Sequence, residues 1–134
     1  MDLKEYFEKN RGMGILSTAD GDGAVNAAVY ARPHVMEDGS LAFIMRDRLT
    51  HHNLQSNARA AYLFREEGGG YKGLRLHLTK TSEENGTDRV KDICRRCKID
   101  SEPDAVRFLV TFKIDRELPL VGAGDPPDYP AETG

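Results

Sequence analysis

Arg46 and Arg48 flank Asp47, and Thr50 follows at the start of a short polar run with helical character. Two guanidinium groups and a hydroxyl beside a helix start form the donor set that a phosphate requires. A helix N-terminus adds unpaired N–H groups and partial positive charge, and the planar fork of arginine matches phosphate oxygens in pairs. The same residues also describe a solvated Arg-Asp-Arg turn with Thr50 simply capping the helix. On these positions alone the two readings stand level.

Other chemistry-bearing residues are easier to discount. Cys94-Arg-Arg-Cys97 is a CxxC pair, but a zinc site needs four ligands and the chain has no second CxxC and no HxxxH. His51 and His52 are adjacent in a helix and diverge by about 100°, so they do not chelate one ion together. The cysteines read instead as small buried hydrophobes on a helix face with Val90 and Ile93. No nucleophile elbow, GxGxxG or phosphate-loop pattern is present. Gly68-Gly69-Gly70-Tyr71-Lys72-Gly73 is glycine-rich, yet it joins two strands rather than opening a helix. Glu66-Glu67 and Glu83-Glu84 read as solvated charge pairs. Arg75 and His77, on the polar face of a strand, either line a cleft or face water.

The elements that must hold the Arg-Thr turn lie on either side of it. Leu41–Met45 is apolar and prone to strand formation, residues 50–57 supply about two helical turns, and Ala58–Phe64 resumes strand character. Before it, Asp2–Asn10 is an amphipathic helix with Leu3 and Phe7 on one face and Tyr6 beside them. Gly14–Thr18 and Ala24–Arg32 are strands joined by the turn Ala19–Gly23. In the second of these, Val25, Ala27, Val29 and Ala31 share one face; its many alanines suit close packing or the floor under a flat ligand. Pro33 interrupts pairing, and Glu37-Asp38-Gly39-Ser40 is a hairpin turn. After it, Tyr71–Thr81 alternates Leu74, Leu76 and Leu78 with polar residues, and Thr87–Cys97 has helical spacing with Thr87 as N-cap. Ala105–Asp115 alternates Val106, Phe108, Val110, Phe112 and Ile114.

About six strands joined mostly by hairpin turns, with helices at the margins, predict a mainly β chain forming a small antiparallel barrel rather than a doubly wound sheet. At 134 residues, with 39% hydrophobic and 31% charged side chains, the chain suits one soluble domain with a real core. Residues 1–121 read as that domain and 122–134 as a mobile Gly/Pro-rich tail. A net charge of −3 argues against a dedicated nucleic-acid binder. No run approaches the roughly 20 apolar residues of a membrane helix, and the charged N-terminus lacks a signal-peptide core. The expected compartment is the cytoplasm.

From Gly12 to Ile114 the sequence resembles the FMN-binding split-barrel family, the pyridoxamine-phosphate-oxidase-like flavoproteins. The resemblance is carried by Gly-Ser-Leu-Ala-Phe-Ile-Met-Arg, the basic turn, Thr50-His-His-Asn53-Leu54-Gln-Ser-Asn57-Ala and the strand Ala60–Phe64. It implies a six-stranded antiparallel split barrel with short flanking helices and FMN as cofactor. It places Asn26, Ala27, Ala28 and Val29 against the isoalloxazine ring and Phe43, Ile44 and Met45 beneath it. Arg46, Arg48 and Thr50 would hold the phosphate, with Asn53 nearby. Many members carry a lysine in this turn; here Leu49 and Thr50 stand in its place, so an arginine must supply the charge. The resemblance also implies a homodimer with flavin at the subunit interface and a small-molecule redox partner. Basic substrate-binding residues of a true pyridoxamine-phosphate oxidase are not recognisable towards the C-terminus, so that activity is not expected. An FMN-dependent oxidoreductase, an electron carrier or flavin store, and a barrel for another phosphorylated ligand remain open, as does a haem or deazaflavin in place of FMN.

Overall fold

The strands anticipated from apolar alternation are all present in the computed structural model, which describes residues 2–85, 90, 93 and 106–122. The element order is α1 (Leu3–Lys9), β1 (Gly12–Ala19), β2 (Val25–Val29), β3 (His34–Val35), β4 (Leu41–Arg46), α2 (Leu49–Ser56), β5 (Arg59–Glu66), β6 (Gly73–Asn85) and β7 (Arg107–Pro119). They form one sheet of order β2-β1-β5-β6-β7-β4-β3, every pairing antiparallel. The two-residue β3 makes seven strands where six were expected. Alternation cannot signal so short a segment, and β3 exists because the Glu37–Ser40 turn folds it back onto Leu41 and Ala42.

The sheet curls on itself. Phe43 of β4 and Tyr62 of β5 belong to strands that are not neighbours, yet their rings lie 5.1 Å apart. Leu16, Phe43, Met45, Tyr62, Phe64, Leu76, Leu78, Val110 and Phe112 fill the interior as one core. Each large apolar side chain so buried contributes about 1.5–3 kcal/mol. The edges β2 and β3 stay unpaired with each other, which leaves the barrel split.

α1 closes one end. Asp2 caps it, accepting from the Glu5 N–H at 3.2 Å, and Phe7 packs edge-on against Phe64 with ring centres 5.3 Å apart. The Arg32 guanidinium donates to the Phe7 and Asn10 carbonyls at 2.5 and 2.9 Å, satisfying the helix C-terminus. This explains why β2 stops at Val29 rather than Arg32: the chain turns here to cross the barrel end. The Tyr62 hydroxyl donates to the carbonyls of Tyr30 and Ala31 at 3.3 and 3.2 Å.

β7 departs most from its sequence reading. Val110 and Phe112 do enter the barrel, but Leu109 is buried on the opposite face with Ala42, Val90 and Ile93, a second core. Val106 is exposed, outside the strand. β6 and β7 each run to 13 residues because pairing continues through irregularities at His77/Leu78 and Lys80/Ser82, which a strict period of two does not anticipate. Val90 and Ile93 are helical and buried as expected. Cys94, Cys97 and Thr87 lie outside the described residues, as does the expected tail 122–134 beyond Gly122, whose carbonyl accepts from Arg75 at 2.9 Å. No helix among the described residues is long and apolar enough to cross a membrane.

Candidate functional site

The basic turn sits where β4 delivers the chain to α2. The helix begins at Leu49, with Arg48 as N-cap in extended conformation (φ −131°, ψ −168°) and no side-chain capping bond. This corrects the expectation that Thr50 is the cap. The Arg48 N–H bonds to the Arg46 carbonyl at 2.8 Å and the Arg48 carbonyl accepts from His52 at 2.9 Å, so helical bonding starts earlier than the threonine suggests. Thr50 lies in the first turn and is buried, sharing a hydrogen bond with the hydroxyl of Tyr30. Burial pushes the Tyr30 phenol up, and the Thr50 bond partly offsets it. An uncapped helix start with an exposed arginine beside it retains donors for an anion.

Three side chains of α2 anchor it. Asn53, expected near the phosphate, is buried and donates its amide to the Thr18 hydroxyl at 3.1 Å, tying the helix to β1. Ser56 accepts from the Gly21 N–H at 2.9 Å. His51 is buried, stacked on Phe108 at 3.9 Å and 13°, with Nδ1 3.2 Å from Asp47 and Nε2 3.0 Å from Glu83. His52 is exposed, so the two imidazoles do diverge. Burial raises the Glu83 carboxyl, but hydrogen bonds from Gln55, Lys80 and His51 and the charge of Lys80 together outweigh it and hold the group down at about 2. Glu83 is therefore not the solvated charge that its neighbour Glu84 implied.

The remaining candidates divide between faces. On β2, Asn26 and Ala28 are half-buried, whereas Ala27 and Val29 are exposed. On β4, the side chains of Phe43 and Met45 are committed to the core; Ile44 packs against the second core and Arg46 is half-buried. A ligand on this wall would meet β4 through its backbone rather than through Phe43 or Met45 side chains. α2 touches β1, β2 and β4, and Thr50 reaches Tyr30, the residue that follows β2. Tyr30, Asp47, His51 and Glu83 were not among the sequence candidates. Asp47, His51 and Gln55 recur every four residues, a stripe that was legible; the approach of Glu83 was not. Among the described residues no group of His, Cys, Asp and Glu could hold a metal ion. An open groove of about 920 Å³ at the β3–β4 turn is lined by Asp38, Ser40, Thr111 and Lys113 and by none of the candidates.

No protein-family model matches this chain, and no curated protein matches it in sequence. Solved structures do. An FMN-binding protein from Syntrophomonas wolfei subsp. wolfei superposes with a TM-score of 0.71 at 21% identity, covering 89% of this chain and 84% of that one. An F420 reductase matches at 0.62 and 20%, covering 87% and 97%. HutZ, the heme storage protein from Vibrio cholerae, matches at 0.62 and 16%, covering 88% and 92%. At these identities the likeness shows a shared fold, the antiparallel split barrel, found in proteins named for FMN, F420 and heme.

Proposed function

We propose that this chain is an FMN-binding flavoprotein, an oxidoreductase for a small molecule, working as a homodimer in the cytoplasm. The observation that carries the reading is the uncapped start of α2, bordered by half-buried Arg46, exposed Arg48 and buried Thr50, on a fold shared with an FMN-binding protein. The donor set fits a phosphate monoester, which carries three acceptor oxygens and between one and two negative charges at neutral pH. Arg46 and Arg48 would hold it, with N–H groups of the first helical turn, while Tyr30 fixes the Thr50 hydroxyl. Asn26–Val29 would lie along the ring. Bound flavin supplies the hydride or electron chemistry, and the chain supplies orientation and field.

The dimer is supported by the outer face of β2, β1 and β5. Val25, Val29 and Met13 are 83%, 72% and 58% exposed, and Leu63 is also exposed. Register places Val29 and Leu63 on either side of Ile15, so these side chains form one apolar patch rather than scattered points. A second copy covering it would also adjoin Asn26–Val29. The visible spectrum of the purified protein tests the cofactor, and sedimentation equilibrium of the loaded protein tests the assembly. Flavin bands on a dimer are expected. A colourless protein that takes up no FMN, or a monomer retaining stoichiometric flavin, would contradict the respective part.

A further inference from the structure

We infer that His51 is a positioning residue for the phosphate turn: it engages the carboxylate of Asp47, which lies between the two arginines, and so sets how well the turn accepts a doubly charged phosphate. This rests on the phosphate reading above. A carboxylate between Arg46 and Arg48 opposes an incoming anion unless a donor offsets its charge, because like charges brought together are costly. His51 meets it directly, with Nδ1 3.2 Å from the Asp47 carboxylate, and its other nitrogen lies 3.0 Å from Glu83.

Gln55 places its amide nitrogen 3.0 Å from the His51 carbonyl and from Glu83, and 3.1 Å from Nε2. The carboxylates are acceptors only, so a proton on Nδ1 makes the ring the donor to Asp47. Lys80 reaches Glu83 at 2.5 Å from the other side. Asp47 and Glu83 are thus held by donors from His51, Gln55 and Lys80. Removing the imidazole leaves the Asp47 carboxylate without this donor beside the turn. Stacking on Phe108 holds the ring in this place.

A mutant cycle tests this, reading FMN and riboflavin affinity of the apo-protein by fluorescence quenching. Asp47→Asn should tighten FMN about 3–10-fold and His51→Gln should weaken it by a similar factor, with riboflavin changing less than about twofold. Adding Asp47→Asn to His51→Gln should restore most of the loss, because no carboxylate then needs the His51 donor. A purely structural role for His51 would lower both ligands together and give no rescue, and this would overturn the inference. Should His51→Gln not fold, the exposed Asp47→Asn decides alone: unchanged FMN affinity counts against the proposal. Equal affinity for FMN and riboflavin in the unaltered chain would overturn the phosphate reading itself, and the inference with it. Preference for FMN that neither single variant alters would overturn the inference only.

Discussion

The two ends of the barrel bury different things. At the α1 end, Phe7, Tyr62 and Phe64 pack ring against ring, with Tyr6 at their edge, and buried backbone groups are met by Arg32 and Tyr62. At the α2 end the buried side chains include Thr18, Thr50, His51 and Asn53. Burying polar groups costs free energy unless each finds a partner, and apolar side chains would close a barrel more cheaply. A fold that keeps a polar helix at one end, and leaves its start uncapped, has given up local stability where a ligand can repay it. The α1 end is built for stability, and the proposed site lies at the α2 end.

Substitutions at the two ends should therefore separate stability from affinity. The largest stability effect is expected at the apolar end. A Cβ on Gly14 would fall 1.9 Å from the Tyr62 hydroxyl and 2.7 Å from the Tyr30 carbonyl. Gly14→Ala should cost about 3 kcal/mol in urea unfolding, the upper range for overpacking. A loss under about 1 kcal/mol would mean that the Tyr62 ring is not fixed.

Next comes the polar end in acid. The Glu83 carboxyl sits near 2 rather than its ordinary 4.5. A depressed value means that the folded state favours the ionised form, so the stability is complete above about 4.5 and is lost as pH falls towards 2. Roughly 2–3 kcal/mol should disappear across that window. Glu83→Gln should be less stable at pH 7 and should lose less on acidification. Parallel profiles for the two proteins would contradict the network.

Smaller still is Tyr62→Phe, which deprives two carbonyls of their donor and should cost about 1–2 kcal/mol. It should leave the ratio of FMN to riboflavin affinity unchanged. A shifted ratio would show that the two ends are coupled and break the comparison. The exposed pair Lys9–Glu5 on α1 sets the lower bound: Lys9→Ala should change stability by less than about 0.5 kcal/mol.

The apolar end was the more legible in sequence. Leu74, Leu76 and Leu78 alternate with polar residues and do line the core, and Phe7 was placed on the buried face of α1. Such patterns are local, with a period set by backbone geometry. The polar end was read in outline only. The strand, basic turn, helix and strand from Leu41 to Phe64 were visible, but the cap was placed at Thr50 because a hydroxyl is the usual capping group. Asn53 was placed near the phosphate, but its amide bond to Thr18, 35 residues away, was not legible. Glu83 reaches His51 from 32 residues along the chain. Contacts of that kind depend on how the sheet curls, which no local spacing records. β7 shows the same limit: Leu109 breaks the alternation because a second core covers the outer face of the strand.

The turn between β4 and α2 is proposed to hold the phosphate of FMN. The most direct test is titration of the apo-protein and of the Arg46→Ala/Arg48→Ala variant with FMN and with riboflavin, which lacks the phosphate. Loss of an arginine paired with a phosphate that binding buries typically costs on the order of 2–5 kcal/mol, or roughly 30-fold or more in affinity. FMN should weaken by that factor in the variant while riboflavin stays close to its original affinity. An equal loss for both ligands would mean that the arginines hold the fold, and no loss for either would place the phosphate elsewhere.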